Sequence, residues 1–354
     1  MSASGDTPGW RDRRLIARLG SGAPILLAPM AGAGGPALAI AAMRGGAVGA
    51  LPCATVPAAT IEAQVAEVRA AVDGPINLNF FCHADPGPGD EAPWHALLAP
   101  YYREYGVGPP DQPPPARRAF DAEACALVER VRPEIVSFHF GLPAPDLLDR
   151  VKATGALILS SATSPAEGRW LAARGVDAVI AQGWEAGGHS ARFLDEDPSS
   201  RLTTFALVPL LVEALDVPVI AAGGIGDARG VAAAATLGAA AVQIGTLFLA
   251  CPESLVSPQH RALLGTEAPT VMTNLFSGRP ARGFATRLTR ELGPIRAEAP
   301  AFPHAGAALA ELRRVAPEAF ANMWAGQAAM LARAEPAEMV ARRLIAETAG
   351  LFAG

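Results

Sequence analysis

Val179-Ile180-Ala181-Gln182-Gly183-Trp184-Glu185-Ala186-Gly187-Gly188-His189 joins a short apolar run to a polar, glycine-rich turn that ends in one imidazole. The run reads as a buried strand. Adjacent glycines let the main chain approach a flat or phosphorylated ligand, because no side chain intervenes. A histidine at the carboxyl end of a strand stands where α/β folds put their chemistry. The turn therefore predicts a pocket.

Working outward, further apolar or β-branched runs predict strands at Ile25–Met30, Ala47–Leu51, Ile76–Phe80, Ile135–Phe138, Leu157–Ser160, Val219–Ala222 and Ala241–Ile244, with the pivot strand at Ala178–Ala181. Helical patterns separate them, at Pro36–Arg44, Ile61–Val72, Ala122–Val131, Ala144–Ala153, Pro165–Arg174, Phe205–Leu215 and Ala228–Leu237. Strict alternation implies a parallel sheet. Eight strands imply closure into an α/β (β/α)8 TIM barrel. The rhythm breaks at Cys82 to Pro115, which is rich in Pro, Gly and aromatics and helical around Trp94 to Tyr105. It breaks again from Cys251 onward, where Ala308–Val315 and Met323–Arg333 read as helices. The expected organisation is a barrel of residues 1–81 and 116–250. Residues 82–115 and 251–354 would form a smaller, mainly helical second domain or lid.

Composition bounds the partners. The 354 residues are 51% hydrophobic and 18% charged, with a net charge of −5 and no dense Lys/Arg block. Nucleic acid and an anionic membrane surface are poor partners for such a chain. The four cysteines, Cys53, Cys82, Cys125 and Cys251, form no CxxC pair. No metal site or disulfide framework is expected, and a reduced, cytoplasmic setting is. Met1 to Leu19 is polar and Arg-bearing, without the apolar core of a signal peptide. Val231 to Ala250 is apolar, but Gly238, Gln243, Gly245 and Thr246 interrupt it, so it reads as a helix followed by a strand rather than a membrane span.

Two glycine turns end the last two strands: Ala221-Ala222-Gly223-Gly224-Ile225 and Gln243-Ile244-Gly245-Thr246. In (β/α)8 barrels these loops commonly offer main-chain N–H groups to a phosphate, and Thr246 adds a hydroxyl. Taken singly, each is also an ordinary tight turn. Across the barrel, Pro29 and Met30 end the first strand and Asn79 ends the third. They offer soft apolar contact and an amide that both donates and accepts. With the phosphate turns, they fit a flat heteroaromatic phosphate, FMN better than a sugar phosphate. His189 is the candidate acid/base or anion-binding group. His139, in Ser137-Phe138-His139-Phe140-Gly141, stands between substrate contact and structural hydrogen bonding. His83, His95, His260 and His304 read as ordinary polar residues, Glu185 as a brace for the turn, and Trp184 as packing or a pocket wall. No Walker A, HExxH or G-x-S-x-G motif is present.

These residues resemble the nitronate monooxygenase family, formerly called 2-nitropropane dioxygenases, and its bacterial class I branch in particular. The likeness runs through Ala28-Pro29-Met30, Asn77 to His83, Ser137 to Gly141, Gln182 to His189, Ala221 to Ile225, Gln243 to Thr246, Ser277 to Gly283 and Trp324-Ala325-Gly326-Gln327. The Glu-Ala-Gly-Gly-His element is shared with FMN-dependent enoyl reductases; Asn79 to His83 narrows it toward the monooxygenases. The resemblance implies FMN across the barrel mouth, its phosphate held by Gly224, Gly245 and Thr246. Its ring would meet Met30, Asn79, Gln182 and Gly187, with Pro29, Gly188, Gly223 and Gln243 as further candidate cofactor-binding residues. It implies oxidation of alkyl nitronates, such as propionate 3-nitronate, by O2 to a carbonyl compound and nitrite, with His189 orienting the nitronate or removing an α-proton. Ser190-Ala191 after the histidine and Trp184 before it depart from the family pattern at the substrate mouth. The rival readings are an NAD(P)H-driven FMN enoyl reductase, a non-redox barrel holding a sugar phosphate, and an inactive flavoprotein. The strand ends carry no lysine, which disfavours the second rival. A small-molecule substrate is the expected partner, and a homodimer remains open.

Overall fold

The computed structural model describes residues 9–20, 23–87, 89–110, 118–194 and 200–353. The first eight residues of the polar amino-terminal stretch and residues 111–115 of the Pro-rich excursion lie outside the described residues.

Strands β1 (Ile25–Leu27), β2 (Gly49–Pro52), β3 (Ile76–Phe81), β4 (Ile135–His139), β5 (Leu157–Ala162) and β6 (Ala178–Gln182) come first in the chain. They are followed by the short β7 (Gly188–His189), then β8 (Val219–Ala222) and β9 (Ala241–Ile244). All but β7 form one parallel eight-stranded sheet in the order β1-β9-β8-β6-β5-β4-β3-β2. Its two ends meet: Leu26 bridges Val48, Leu27 N donates to Val48 O at 2.9 Å, and Val48 N donates to Ile25 O at 2.9 Å. The sheet is thereby closed, and the fold is a (β/α)8 TIM barrel.

Side chains alternate across each strand, so every second residue faces the barrel axis. Low in the barrel that face is apolar apart from the buried Asn77: Leu26, Val48, Ile135, Leu159, Ile180 and Ile220 share a buried cluster with Leu15 and Leu19 of the helix Arg14–Leu19. One or two steps further along the same face, at the carboxyl ends, it becomes polar: Asn79, His139, Ser161, Gln182 and Gln243. That change of chemistry along one face places the site. The opposite face, including Phe80, Phe138, Val179, Val219 and Val242, joins the main core against the surrounding helices.

The rest of the chain differs from the sequence reading in three places. Helix Ala337–Ala353 does not join the satellite segments. Its buried Val340, Ala341 and Leu344 pack into the barrel core, and a Cβ at Gly45 would stand 2.5 Å from the Ala341 Cβ. Met323–Arg333 is not a helix: Trp324 bridges Gly283, and a 3-10 turn covers only Ala329–Leu331. The satellite region also carries strands. β10 (Thr270–Thr273) and β11 (Ala281–Phe284) form an antiparallel sheet with β7. A second core joins helix Ala92–Tyr105 to later segments, through Trp94, Leu98 and Tyr102 with Phe276, Leu309 and Phe320. Trp94 Nε1 donates to Ala305 O at 3.1 Å and Tyr102 OH to Ala308 O at 2.7 Å.

Candidate active site

A cavity of about 470 Å3 opens over the carboxyl ends of the barrel strands. This volume lies within the roughly 300–1,000 Å3 of cofactor and ligand pockets. Pro29, Met30, Asn79, His139, Gln182, Gly187, Gly188, His189, Gly223, Gly224, Gln243, Gly245 and Thr246 all line it. Residues up to about two hundred positions apart in sequence are thus brought to one surface.

The glycine turns are tight for local reasons. Gly223 and Gly224 have φ of +108° and +71°, a region that L side chains rarely adopt. A Cβ at Gly223 would also stand 2.9 Å from Ala186 N. Asp227 then starts the helix Ala228–Thr236 by accepting from Arg229 N and Gly230 N. At the next turn Thr246 Oγ1 accepts from Gly326 N at 2.9 Å, while Gln327 N donates to Glu185 O at 2.9 Å. Glu185 in turn accepts from Thr204 N at 2.8 Å and so braces the turn, as its position suggested.

His189 is not carried by a barrel strand. It lies seven residues beyond Gln182, on β7, where it pairs with Ala281 while Gly188 pairs with Arg282. The ring is buried, its Nε2 2.9 Å from Ser277 Oγ, and Ser277 Oγ donates to Arg279 O at 3.3 Å. Phe302, Trp324, Phe140 and Phe81 surround the ring at centroid distances of 5.3, 5.4, 6.0 and 6.3 Å.

Gln182 and His139 hold the main chain at His189. Gln182 Nε2 donates to His189 O at 2.9 Å, and its Oε1 accepts from Ala191 N at 2.7 Å. His139 Nε2 stands 3.2 Å from the same carbonyl and its Nδ1 3.4 Å from Ser161 Oγ. Burial pushes the His139 imidazole down to about 4; the His189 carbonyl opposes this, and the charge of Arg279 adds to it. Glu167, also buried, accepts from Phe193 N at 2.7 Å and fixes the segment after the histidine. Asn79 donates to Ser137 Oγ at 2.9 Å.

Several lining residues lie beyond the sequence reading. His260, read there as ordinary, is buried at the cavity wall, its imidazole pushed down to about 4 by burial with the Trp324 main chain opposing. Phe81, Ser161, Asn322, Met323 and Trp324 also line the cavity. Ser277 lies inside the Ser277–Gly283 stretch, where a polar residue before a glycine turn was the available signal. His83 belongs to the aromatic cluster, 4.8 Å from Phe302. Among the described residues, no group of three His, Cys, Asp or Glu is placed to hold a metal ion, and no helix is long and apolar enough to cross a membrane. Burial raises the thiols of Cys53 and Cys251 to about 12 and that of Cys82 well above its ordinary value.

A sequence profile described as "Nitronate monooxygenase" matches residues 14–347. The chain belongs to the nitronate monooxygenase family. A curated relative, the nitronate monooxygenase of Paraburkholderia phytofirmans, is 43% identical over 343 residues, covering 93% of each chain. Among solved structures, the nitroalkane oxidase of Streptomyces ansochromogenes is similar with a TM-score of 0.85 at 34% identity, covering 95% of this chain and 98% of that one. FabK from Thermotoga maritima is similar with a TM-score of 0.71 at 25% identity, covering 96% and 97%. Members of the nitronate monooxygenase family are in general flavin-dependent, and this chain is an oxidoreductase of the monooxygenase class.

Proposed function

We propose that this chain binds FMN across the barrel mouth and oxidises alkyl nitronates with O2 to a carbonyl compound and nitrite. One observation carries the reading: the glycine turns after β8 and β9 open into the same cavity as the paired His139 and His189. The residues fit the cofactor. A Cβ at Gly245 would stand 3.2 Å from the Ala28 Cβ and 3.3 Å from Met30 Sδ, a tight approach that glycine avoids. Gln243 Oε1 is buried with no hydrogen-bond partner among the described residues, an acceptor awaiting a donor. Gly223, Gly224, Gly245 and Thr246 would hold the phosphate. Pro29, Met30, Asn79, Gln182, Gly187, Gly188 and Gln243 would bound the ring.

Bound FMN supplies the electron-accepting chemistry through which a nitronate and O2 react. In the net reaction two nitronates share one O2: each nitronate carbon gains one of its oxygen atoms as the C=N bond breaks, and each nitrogen leaves as nitrite. The protein's part is position and charge. His189, held through Ser277 and through its own carbonyl, orients the nitronate oxygens or takes the α-proton of a neutral nitroalkane. His139, uncharged near neutral pH, fixes the loop through the His189 carbonyl.

The test is purification with added FMN, followed by measurement of bound flavin and of O2 uptake with propyl-1-nitronate. Stoichiometric flavin, uptake, and nitrite release are expected. Flavin reduction by NADH with no nitronate-dependent uptake would favour a reductase.

A further inference from the structure

We infer that Arg261 is a positioning residue for the cofactor: it fixes the lip of the cavity between Leu249 and Val256 and so sets how firmly FMN is retained, an inference that rests on the flavin reading above. The lip follows directly on the phosphate turn. Thr246 begins the short helix Thr246–Leu249, and the chain from there supplies Leu249, Leu255 and Val256 to the cavity wall. Arg261, half-buried on the helix Pro258–Leu263, reaches back across this loop. Its Nη1 donates to Ala250 O at 3.0 Å and to the Cys251 carbonyl, and its Nη2 donates to Ser254 O at 2.8 Å. One guanidinium thus gathers carbonyls just past a helix end, where main-chain acceptors otherwise lack partners.

The lip is pinned on its other sides as well. Leu255 N donates to Ala33 O at 2.9 Å, which ties the lip to the loop after β1, and Ala31 and Ala33 of that loop also line the cavity. Glu253 accepts from Ala337 N at 3.2 Å, at the start of the helix Ala337–Ala353. Leu255 itself is 64% exposed, so its place at the cavity edge depends on these polar anchors rather than on its own burial. Arg261 is the anchor that reaches the stretch between the phosphate turn and Leu255. A wall ordered before its ligand arrives loses little further freedom on binding, whereas a loose wall must be ordered by the ligand, and affinity falls.

The experiment compares the parent protein with Arg261→Gln and Arg261→Lys. It reads the rate of FMN release on dilution, and the rise in melting temperature that a fixed FMN concentration gives over the flavin-free protein. Arg261→Gln should release FMN about tenfold faster than the parent, because changes in affinity fall mostly on the off-rate. It should also gain less in melting temperature from the same FMN. Arg261→Lys keeps the charge without the fork of donors, and should fall between the two. Release as slow as the parent's, with the melting temperature lowered equally with and without FMN, overturns the inference and leaves Arg261 a purely structural anchor. If Arg261→Gln does not fold, the same two readings on Arg261→Lys decide. A parent protein that takes up no FMN overturns the flavin reading, and the inference with it.

Discussion

Gln182 grips the main chain on both sides of His189: its Nε2 donates to His189 O at 2.9 Å and its Oε1 accepts from Ala191 N at 2.7 Å. A barrel-strand residue thereby fixes a histidine that the barrel itself does not carry. Gln182→Leu removes both bonds and leaves two main-chain groups short of a partner, a loss of about 1–3 kcal/mol of stability. The fold has the rest of its core, so the variant should remain folded while kcat falls about tenfold or more. Gln182→Glu keeps the acceptor toward Ala191 and should retain more activity than the leucine variant. Oxygen uptake with thermal unfolding checks both.

Ser277 is the hydroxyl against His189 Nε2, at 2.9 Å. Ser277→Ala releases the ring from one of its anchors without changing its chemistry. Turnover should fall by about tenfold, whereas His189→Phe should cost on the order of a hundredfold or more. Flavin content should be unchanged in the serine variant, because the phosphate turns lie on other strands. Paired measurements of bound flavin and kcat separate the two effects.

His139 ties stability to pH. Its imidazole is held down to about 4 in the folded protein by burial, against about 6.5 for an unperturbed histidine. The unfolded chain therefore binds the proton more readily between these values. The stabilisation is present in full above pH 6.5 and is lost as pH falls through about 4, by roughly 2–3 kcal/mol for this group. His260, pushed down by the same cause, adds a loss of the same sign. Denaturant midpoints at pH 7 and pH 5 should differ less in His139→Gln than in the parent. An equal difference in the two proteins would contradict the assignment.

Gly245 has φ of −113°, so alanine is conformationally acceptable there, yet the added Cβ would press on Ala28 and Met30. Gly245→Ala should fold and bind FMN about tenfold more weakly. Gly223→Ala combines a φ of +108° with a 2.9 Å approach to Ala186 N and should lose stability as well as flavin. Flavin fluorescence on dilution reads the first effect, and thermal unfolding the second.

The barrel was legible because its strands are short apolar runs divided by helical periods, and because the polar residues fall at the carboxyl ends of those runs. Asn79, Gln182 and Gln243 announced themselves in that way. The support of His189 was not legible. Ser277 lies 88 residues away, on a connection whose direction only the β7–β11 pairing fixes. The apolar neighbours of Met323 and Trp324 in the sequence read as a helix. That segment instead spends its main chain on Glu185, Thr246 and Arg282, partners no local pattern reveals. The sequence reading names no helix at Ala337–Ala353, whose buried side chains pack on the barrel beside Gly45. Sequence spacing reports local periods, and these contacts are long-range.

The most direct test of the account is an anaerobic absorbance titration of the FMN-loaded protein, with propyl-1-nitronate in one cuvette and NADH in the other. The account predicts that nitronate alters the flavin bands and that NADH leaves them unchanged. A protein that takes up no FMN, or whose flavin is bleached by NADH and untouched by nitronate, would contradict it.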